Sequence, residues 1–200
     1  MFAPPAMKAG GQADSDVLKS IRHIDHVTYV AAEDHERSFI DRWLSLGFHE
    51  HVRLRSYKYP ATHIALVSGS TPEYPWATMT GLSVSEEDRS PVNEFVRRYG
   101  EGMQHVAYNV HPKSDFEEVY AEMKKLGWNF MTGVLTYKNA DKSQLRQFFA
   151  APTLPYGPFT EFIQRLPGPD GNAFGGFDSM NIDDLYTGYD DFSKHLDRKK

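Results

Sequence analysis

The chain carries one pattern twice, and this repeat is the feature that most limits the folds open to it. The segment IDHVTYV places His26 in an alternating, β-branched stretch, and GMQHVAYNV places His105 in a similar stretch 79 residues later. Each stretch is followed by an amphipathic segment that ends in Leu-Gly, within LSLGF and KKLGW. A fixed repeat of this kind indicates two copies of one supersecondary unit that bury a common core.

The residues around these two stretches predict the same element order in both halves. Alternating runs bounded by Gly, Pro and Asn predict strands, and apolar stripes at helical spacing predict helices. We expect Asp34 to cap the first helix, and a capping box of Ser114 and Glu117 to start its counterpart. The expected strands are Ile21–Val30, Phe48–Tyr57, Thr62–Ser68, Trp76–Val84, Gly102–Val110, Val134–Lys138, Gln144–Ala150 and Phe159–Arg165. The predicted fold is therefore α+β, with two βαβββ modules that form a half-open barrel around a cavity.

Changes in composition divide the chain into five segments. Residues 1–20 are small, polar and rich in Pro, Gly and Ala, which predicts a flexible N-terminal arm. The first βαβββ module is expected over 21–86 and the second over 101–166, joined by a connector helix within 87–100. Residues 167–200 begin with a loop rich in Gly and Pro and end in an amphipathic C-terminal helix.

The overall composition excludes several classes of function. The net charge of −5 disfavours nucleic acid as a partner, because such proteins carry basic surfaces. The absence of Cys excludes disulfides, thiolate metal sites and a Cys nucleophile, so any metal must be held by His and carboxylate groups. No apolar run approaches the length of a membrane helix, and the N-terminus lacks the apolar region of a signal peptide. We expect a cytoplasmic protein without a membrane partner, and we leave a homodimer open.

Two histidines and one glutamate stand out as candidate metal ligands. His26 and His105 occupy matching positions in the two modules, and Glu161 shares one strand face with Phe159 and Ile163. A carboxylate buried among apolar side chains has to be paired, protonated or metal-bound. Two His and one carboxylate make the facial triad of non-haem Fe(II) oxygenases, and the cavity would then be a metal cavity. The alternative is hydrogen-bonded core histidines and an ordinary ion pair.

The paired units with a His on each first strand resemble the vicinal oxygen chelate superfamily, which includes glyoxalase, bleomycin resistance and extradiol dioxygenase proteins. Within it, the second half resembles the C-terminal catalytic part of 4-hydroxyphenylpyruvate dioxygenase through the segments GMQHVAYNV, LRQFFAAP, PFTEFIQR and AFGGF. The resemblance covers residues 21 to 192, and it implies that His26, His105 and Glu161 are Fe(II) ligands.

The same resemblance implies which residues surround the substrate. Gln147 matches a glutamine that faces the substrate, and Phe149 an aromatic that packs on it, so both are candidate catalytic and substrate-binding residues. Gln104 precedes the second ligand as in the family, and Phe177 lies where the family's tail helix presents a Phe over the cavity mouth. Both are candidates for substrate binding.

Strand alternation tests part of this assignment without the family. It places Gln147 and Phe149 on one face, which a hairpin would bring beside Glu161, but it points Gln104 to the face opposite His105. His63 lies in the inner-strand candidate THIALVSG and is a further candidate for substrate binding.

The chain also departs from the family in its first module. TMTGLSVSEED stands where the family has an Asn-Glu-Pro segment, so the side chains that would hold the far end of an arylpyruvate are not carried over. The related glyoxalase and epimerase branches usually have a fourth ligand on the last strand of the first module. Here WATMTGLSV offers no acid, which favours three protein ligands.

Three functions follow as hypotheses. The first is an Fe(II)-dependent dioxygenase that acts on a 2-oxo acid, 4-hydroxyphenylpyruvate or a related arylpyruvate, with O₂, decarboxylation and oxygen insertion. The second is extradiol cleavage of a catechol, which uses the same triad and usually needs an acid–base His near the metal, for which His63 is the candidate. The third is a protein that binds a small molecule on the same fold without catalysis.

Overall fold

Eight strands form a single mixed sheet in the computed structural model, which describes residues 16–69, 78–152, 157–171, 177 and 179–197. Along the sheet the strands follow the order β2-β3-β4-β1-β5-β8-β7-β6. The strands are β1 (Ile21–Val30), β2 (His49–Arg55), β3 (Thr62–Ser68), β4 (Thr78–Val84), β5 (Gly102–Val110), β6 (Leu135–Lys138), β7 (Gln144–Ala150) and β8 (Phe159–Leu166). The helices are α1 (Glu36–Leu44), α2 (Pro91–Tyr99), α3 (Phe116–Lys125) and α4 (Ser179–Asp197).

The sheet repeats one arrangement on either side of its centre. In the first half β1 pairs in parallel with β4, and in the second half β5 pairs in parallel with β8. The antiparallel pairing of β1 with β5 joins the two halves into one curled half-barrel. The predicted α+β fold of two βαβββ modules is confirmed. The segment boundaries stay predictions, and residues 1–15 of the predicted arm lie outside the described part of the chain.

The helices cover opposite faces of this sheet. On the convex face, α1 packs through Phe39, Ile40 and Trp43 on Ile64 and Leu82, and α3 packs in the same way on the second half. On the concave face, α2 and α4 share one cluster with residues of both halves. That cluster contains Val30, Ala61, Val92, Phe95, Phe149, Phe159, Ile182, Leu185, Tyr186 and Tyr189. The C-terminal helix therefore fills one part of the half-barrel interior.

Two predicted helix caps are wrong. Asp115, rather than Ser114, is the N-cap of α3, and its carboxylate accepts hydrogen bonds from the backbone N–H groups of Glu117 at 3.0 Å and Glu118 at 3.1 Å. A carboxylate cap satisfies two of the free N–H groups at once, so no reciprocal bond from a capping box is needed. Asp34 lies in a 3₁₀ turn that runs directly into α1, and this helix has no side-chain cap.

In the described part of the chain, none of the helices has the length and apolar character needed to cross a membrane.

Candidate metal centre

The two histidines and the glutamate singled out in the sequence meet in the interior of the half-barrel. His26, His105 and Glu161 lie on β1, β5 and β8, three strands that are neighbours in the sheet. Their side chains are 1%, 2% and 2% exposed. Nε2 of His26 and Nε2 of His105 each lie 3.3 Å from Oε2 of Glu161. The structure therefore brings together the three residue types of the predicted triad.

The donor atoms fit a single divalent metal. One ligand atom from each residue falls within 4.8 Å of the others. Donor atoms about 2.1 Å from a shared metal in cis positions lie about 3 Å apart, close to the observed spacing. The second carboxylate oxygen of Glu161, Oε1, is buried without a hydrogen-bond partner among the described residues. A cation at the centre would balance the charge of this buried carboxylate, and the triad is the only group of metal-ligating side chains found in the described part of the chain.

A pair of β-bulges orients the two imidazole rings. On β1, Ile24 pairs with Tyr108 of β5 and His26 pairs with the next residue of β5, Ala107. Asp25 therefore has no residue opposite it and forms the first bulge. On β5, His105 pairs with Thr28 of β1 and Met103 pairs with the next residue of β1, Tyr29. Gln104 therefore has no residue opposite it and forms the second bulge. A bulge lets adjacent side chains turn to the same side of a strand. Each module therefore carries the same device just before its histidine.

The residue in each bulge binds Nδ1 of the histidine that follows it. Asp25 Oδ1 lies 3.0 Å from His26 Nδ1, and Gln104 Oε1 lies 3.1 Å from His105 Nδ1. Both oxygens accept a hydrogen bond from a protonated Nδ1, which leaves Nε2 unprotonated in the neutral ring and aimed at Glu161. The expectation that Gln104 points away from His105 is therefore wrong, because strict alternation does not hold across a bulge. Its role in substrate binding stays a prediction.

The Asp25 carboxylate belongs to a buried ionic network that the sequence analysis missed. Arg165 donates to it twice, from Nε to Oδ2 at 3.0 Å and from Nη2 to Oδ1 at 2.9 Å. Asn109 Nδ2 donates to Oδ2 at 3.2 Å. Both partners of the ion pair are 1% exposed. Strand alternation places Arg165, four residues after Glu161, on the same face of β8, but no feature of the sequence pairs it with Asp25.

The charges at the centre set the protonation of its histidines. Burial lowers the pKa of His26, but the carboxylates of Glu161 and Asp25 outweigh burial and raise it to about 9. Burial raises the pKa of Asp25, and Arg165 and His26 reverse this and hold it far below its usual range. His105 faces a neutral amide instead of a carboxylate, and burial together with His26 lowers its pKa. The two histidines are therefore equivalent in position and unequal in electrostatic environment.

Gln147 and Phe149 lie on the predicted face of β7. In the pairing of β7 with β8, Gln147 is opposite Ile163 and Phe149 is opposite Glu161, so both share the face of the metal centre. The Phe149 ring lies 6.2 Å from that of His105. Gln147 Oε1 accepts a hydrogen bond from Asn181 Nδ2 of α4 at 2.5 Å, and Gln147 Nε2 is buried without a partner among the described residues. No motif or spacing in the sequence predicts the contact with Asn181.

His63 and Phe177 also lie beside the triad. The Phe177 ring is 4.9 Å from His26 and 5.2 Å from His63, edge to face in both cases. The guanidinium of Arg165 lies 5.6 Å from the centre of the same ring. His63 is buried, with Nδ1 3.1 Å from Ser83 Oγ, and its Nε2 has no partner in the described part of the chain. Gln104, Phe149 and Phe177 thus contact a histidine of the triad, and His63 contacts Phe177, whereas Gln147 shares the face of the centre and its side chain contacts Asn181.

The chain is thus a half-barrel of two βαβββ modules around a buried centre of two His and one Glu, and this architecture can be compared with those of known proteins. No protein-family model matches the chain, and no curated protein matches it in sequence. Solved structures do match. A triple mutant of 4-hydroxymandelate synthase from Streptomyces coelicolor superimposes with a TM-score of 0.70 at 19% identity, over 84% of this chain and 54% of that one. The present chain thus spans about half the length of that synthase.

Methylmalonyl-CoA epimerases match over a shorter part of the chain. The enzyme from Streptomyces coelicolor, a variant bound to 2-nitronate-propionyl-CoA, has a TM-score of 0.55 at 18% identity, covering 72% of this chain and 98% of its own. The enzyme from Mycobacterium tuberculosis has a TM-score of 0.54 at 18% identity, covering 76% and 91%. The synthase and the epimerases are vicinal oxygen chelate enzymes. The chain therefore has the vicinal oxygen chelate fold that the sequence resemblance implied.

Proposed function

We propose that the chain is an Fe(II)-dependent dioxygenase that acts on a 2-oxo acid, with an arylpyruvate as the first candidate. The observation that carries the proposal is the buried triad. Each histidine Nδ1 has a hydrogen-bond partner, Asp25 or Gln104, and both Nε2 atoms point at one carboxylate oxygen. The chemistry that bound Fe(II) supplies is chelation of the carboxylate and keto oxygens of the substrate and activation of O₂ for decarboxylation and oxygen insertion.

The aromatic side chains around the triad exclude water from it. The Phe159 ring stacks on His105 at 4.9 Å, Phe149 lies beside the same ring, and Phe177 packs against His26. Surroundings of this kind favour a flat apolar group and strengthen every electrostatic contact at the centre. An aromatic side chain on the 2-oxo acid suits such surroundings.

Gln147 supplies a positioned hydrogen-bond donor on the same face. Its Oε1 is already taken by Asn181, so the amide orientation is fixed and Nε2 is the atom left for the substrate. An amide donates to a carboxylate or keto oxygen without adding charge to the centre. We assign Gln147 to orienting the 2-oxo acid, and the bond from Asn181 to holding Gln147.

Epimerase chemistry, suggested by the second set of structural matches, is disfavoured by β4. This strand pairs with β1 beside His26 and presents Met79, Gly81 and Ser83 on the face of the metal centre. None of these three is an acid that would serve as a fourth ligand. The described residues thus favour the three-ligand arrangement expected from the sequence.

Extradiol cleavage of a catechol is the second candidate, and the position of His63 favours it. An acid–base histidine near the metal needs a free ring nitrogen. His63 Nε2 is buried with no partner among the residues that the structure describes, and the ring contacts Phe177, which also contacts His26. The third candidate, a binding protein without catalysis, requires no metal at all. Metal content separates it from the two enzymes.

The test is anaerobic loading with Fe(II), followed by metal analysis and by O₂ consumption with 4-hydroxyphenylpyruvate or catechol. We expect one iron per chain and O₂ uptake with the 2-oxo acid. His105→Ala should lose most of the iron and all turnover, whereas the control His49→Ala, at an exposed position of β2, should keep both. Iron retained by His105→Ala with activity intact contradicts the proposal, and uptake with catechol alone favours the second candidate.

A further inference from the structure

Arg165 is a buried cation beside the metal centre to which the proposed function assigns no role. Its side chain is 1% exposed, and it lies on β8 four residues after Glu161, on the same face of the strand. A guanidinium keeps its charge inside a protein, so burying it is costly unless its partners compensate. The positions of those partners indicate what this buried charge does.

One partner of Arg165 is the carboxylate that holds His26. Nε and Nη2 of Arg165 donate to separate oxygens of Asp25, at 3.0 and 2.9 Å, in the two-pronged arrangement that suits a guanidinium. Oδ1 of Asp25, one of these oxygens, also lies 3.0 Å from His26 Nδ1. Because both oxygens are held, the carboxylate cannot turn about its own bond, and its hydrogen bond to Nδ1 fixes the rotation of the His26 ring.

Another partner of Arg165 is the aromatic ring that packs on His26. The guanidinium lies 5.6 Å from the centre of the Phe177 ring, within the range of a cation–π contact. The same ring meets His26 edge to face, with 4.9 Å between the ring centres. Phe177 also packs against apolar clusters from both halves of the sheet. Arg165 therefore contacts two groups that confine the His26 imidazole, one at Nδ1 and the other at the ring.

His105 is held by a different set of groups. Gln104 binds its Nδ1 at 3.1 Å, and the rings of Phe159 and Phe149 lie 4.9 and 6.2 Å away. None of these three partners carries a charge. A change at Arg165 should therefore be felt at His26 and not at His105, so the second histidine serves as an internal reference for the first.

We infer that Arg165 is a positioning residue of the metal centre, which sets the direction of His26 Nε2 through Asp25 and Phe177. The inference rests on the metal binding of the proposed function and names no substrate. The two-pronged contact is its essential feature, because two donors fix the plane of a carboxylate that a single point charge would only attract. Supporting groups behind a metal-bound histidine typically change the metal affinity about tenfold to a hundredfold.

The test separates geometry from charge at position 165. Arg165→Lys keeps the charge opposite Asp25 and cannot make both bonds. We expect its Fe(II) affinity, measured by competition titration under argon, to fall about tenfold to a hundredfold. Arg146→Lys is the matched control, because Arg146 of β7 also combines an ion pair, to Glu117 at 2.9 Å, with a ring contact, to Phe116 at 5.2 Å. Those partners belong to α3 on the convex face, so this variant should keep the wild-type affinity.

The Co(II)-loaded protein gives a readout that a general loss of stability does not move. The Nδ1 protons of His26 and His105 should each give an exchangeable, strongly shifted signal in the proton NMR spectrum. The signal that moves in Asp25→Asn belongs to His26. Arg165→Lys should shift that signal and leave the other in place, and Phe177→Leu should shift the same signal because it removes the ring that packs on His26.

Three outcomes decide between the possibilities. Wild-type Fe(II) affinity in Arg165→Lys, with both signals unmoved, overturns the inference and leaves the proposed function standing. A loss of affinity that Arg146→Lys matches, or an equal shift of both signals, assigns Arg165 to general stability and also overturns the inference. A wild-type protein that binds neither Fe(II) nor Co(II) overturns the proposed function, and the inference with it.

Discussion

Asp25 and His26 are consecutive residues of one strand, yet Asp25 Oδ1 lies 3.0 Å from His26 Nδ1 and both side chains are buried. The bulge on β1 makes this contact possible, because it turns two neighbours to the same side. The corresponding bulge on β5 gives His105 an amide partner, Gln104, in place of a carboxylate. One histidine of the centre thus has an anionic partner and the other a neutral one.

Asp25→Asn should weaken metal binding without removing a ligand. The amide can still accept from His26 Nδ1, but the negative charge that makes the ring a stronger donor to the metal is lost. Loss of such a supporting group typically lowers metal affinity about tenfold to a hundredfold. The measurement is an Fe(II) competition titration under argon.

The same substitution also leaves Arg165 buried without its carboxylate. Removing one partner of a buried pair costs about 3–5 kcal/mol of folding stability, whereas replacing both partners is often close to neutral. Asp25→Asn combined with Arg165→Leu should therefore recover most of the melting temperature but not the metal affinity. Recovery of both would show that Asp25 acts only through stability.

The effect of the metal on stability should grow with pH. In the metal-free protein Glu161 and Asp25 raise the His26 pKa to about 9, above the value of 6.5 of a free histidine. A raised pKa stabilises the fold below about pH 6.5, and this contribution is lost as the pH rises towards 9. Metal binding needs Nε2 without a proton, so its contribution increases over the same interval.

Melting curves at several pH values within that interval check this prediction. The melting temperature of the metal-free protein should fall as the pH rises, and its difference from the metal-loaded protein should widen. A difference that narrows with pH would mean that the metal does not displace the His26 proton.

The repeat and the strand alternation predicted the fold and the meeting of His26, His105 and Glu161, and their role as metal ligands stays a prediction. The equivalent positions of His26 and His105 fix which strands meet at the centre of the sheet, and alternation fixes which face Glu161 shares with Gln147 and Phe149. These features depend on regular strands, whose geometry is set by the sequence pattern. The roles of Gln147 and Phe149 stay predictions.

The bulges and the long-range polar contacts could not be predicted from the sequence. A bulge breaks alternation without a residue type that marks it, so the contacts of Asp25 and Gln104 could not be predicted. The partner of Asp25 on β8 is 140 residues away, and the partner of Gln147 on α4 is 34 residues away. Such pairs are fixed only when the whole half-barrel is assembled.

Gln147→Leu should impair turnover and leave the iron in place. The substitution removes the free donor Nε2 and also leaves Asn181 Nδ2 without its acceptor. The loss of about 1–3 kcal/mol corresponds to about tenfold to a hundredfold in turnover or KM. Steady-state kinetics with metal analysis of the same samples make the measurement. Loss of iron would assign Gln147 to support of the ligands, and wild-type kinetics on a true substrate would remove it from the site.

Gly81→Ala should disturb His63 and Thr28 but not the triad. The added methyl group would approach Thr28 Oγ1 and His63 Cε1 more closely than side chains tolerate, so the ring has to move. Overpacking of this kind costs about 1–3 kcal/mol. Gly133→Ala is the matched control, because an added Cβ there meets nothing within 4 Å. Chemical denaturation should show a loss for Gly81→Ala only, with the iron content of both variants unchanged. Equal stability of the two variants would contradict the packing argument.

Neither half of the chain should fold alone. The cluster on the concave face combines Val30 and Ala61 of the first half with Phe149 and Phe159 of the second, and α4 covers both. A fragment of residues 101–200 would also expose the edge of β5 that pairs with β1, and it would keep only two of the three metal ligands. Exposed strand edges and apolar faces favour aggregation.

We expect this fragment to be unfolded or aggregated, with poorly dispersed amide signals in its NMR spectrum and no tight Fe(II) binding. Mixing it with residues 1–100 during refolding should recover iron binding, because the triad then regains His26. A well-dispersed spectrum from the fragment alone would show that the second half is an independent folding unit.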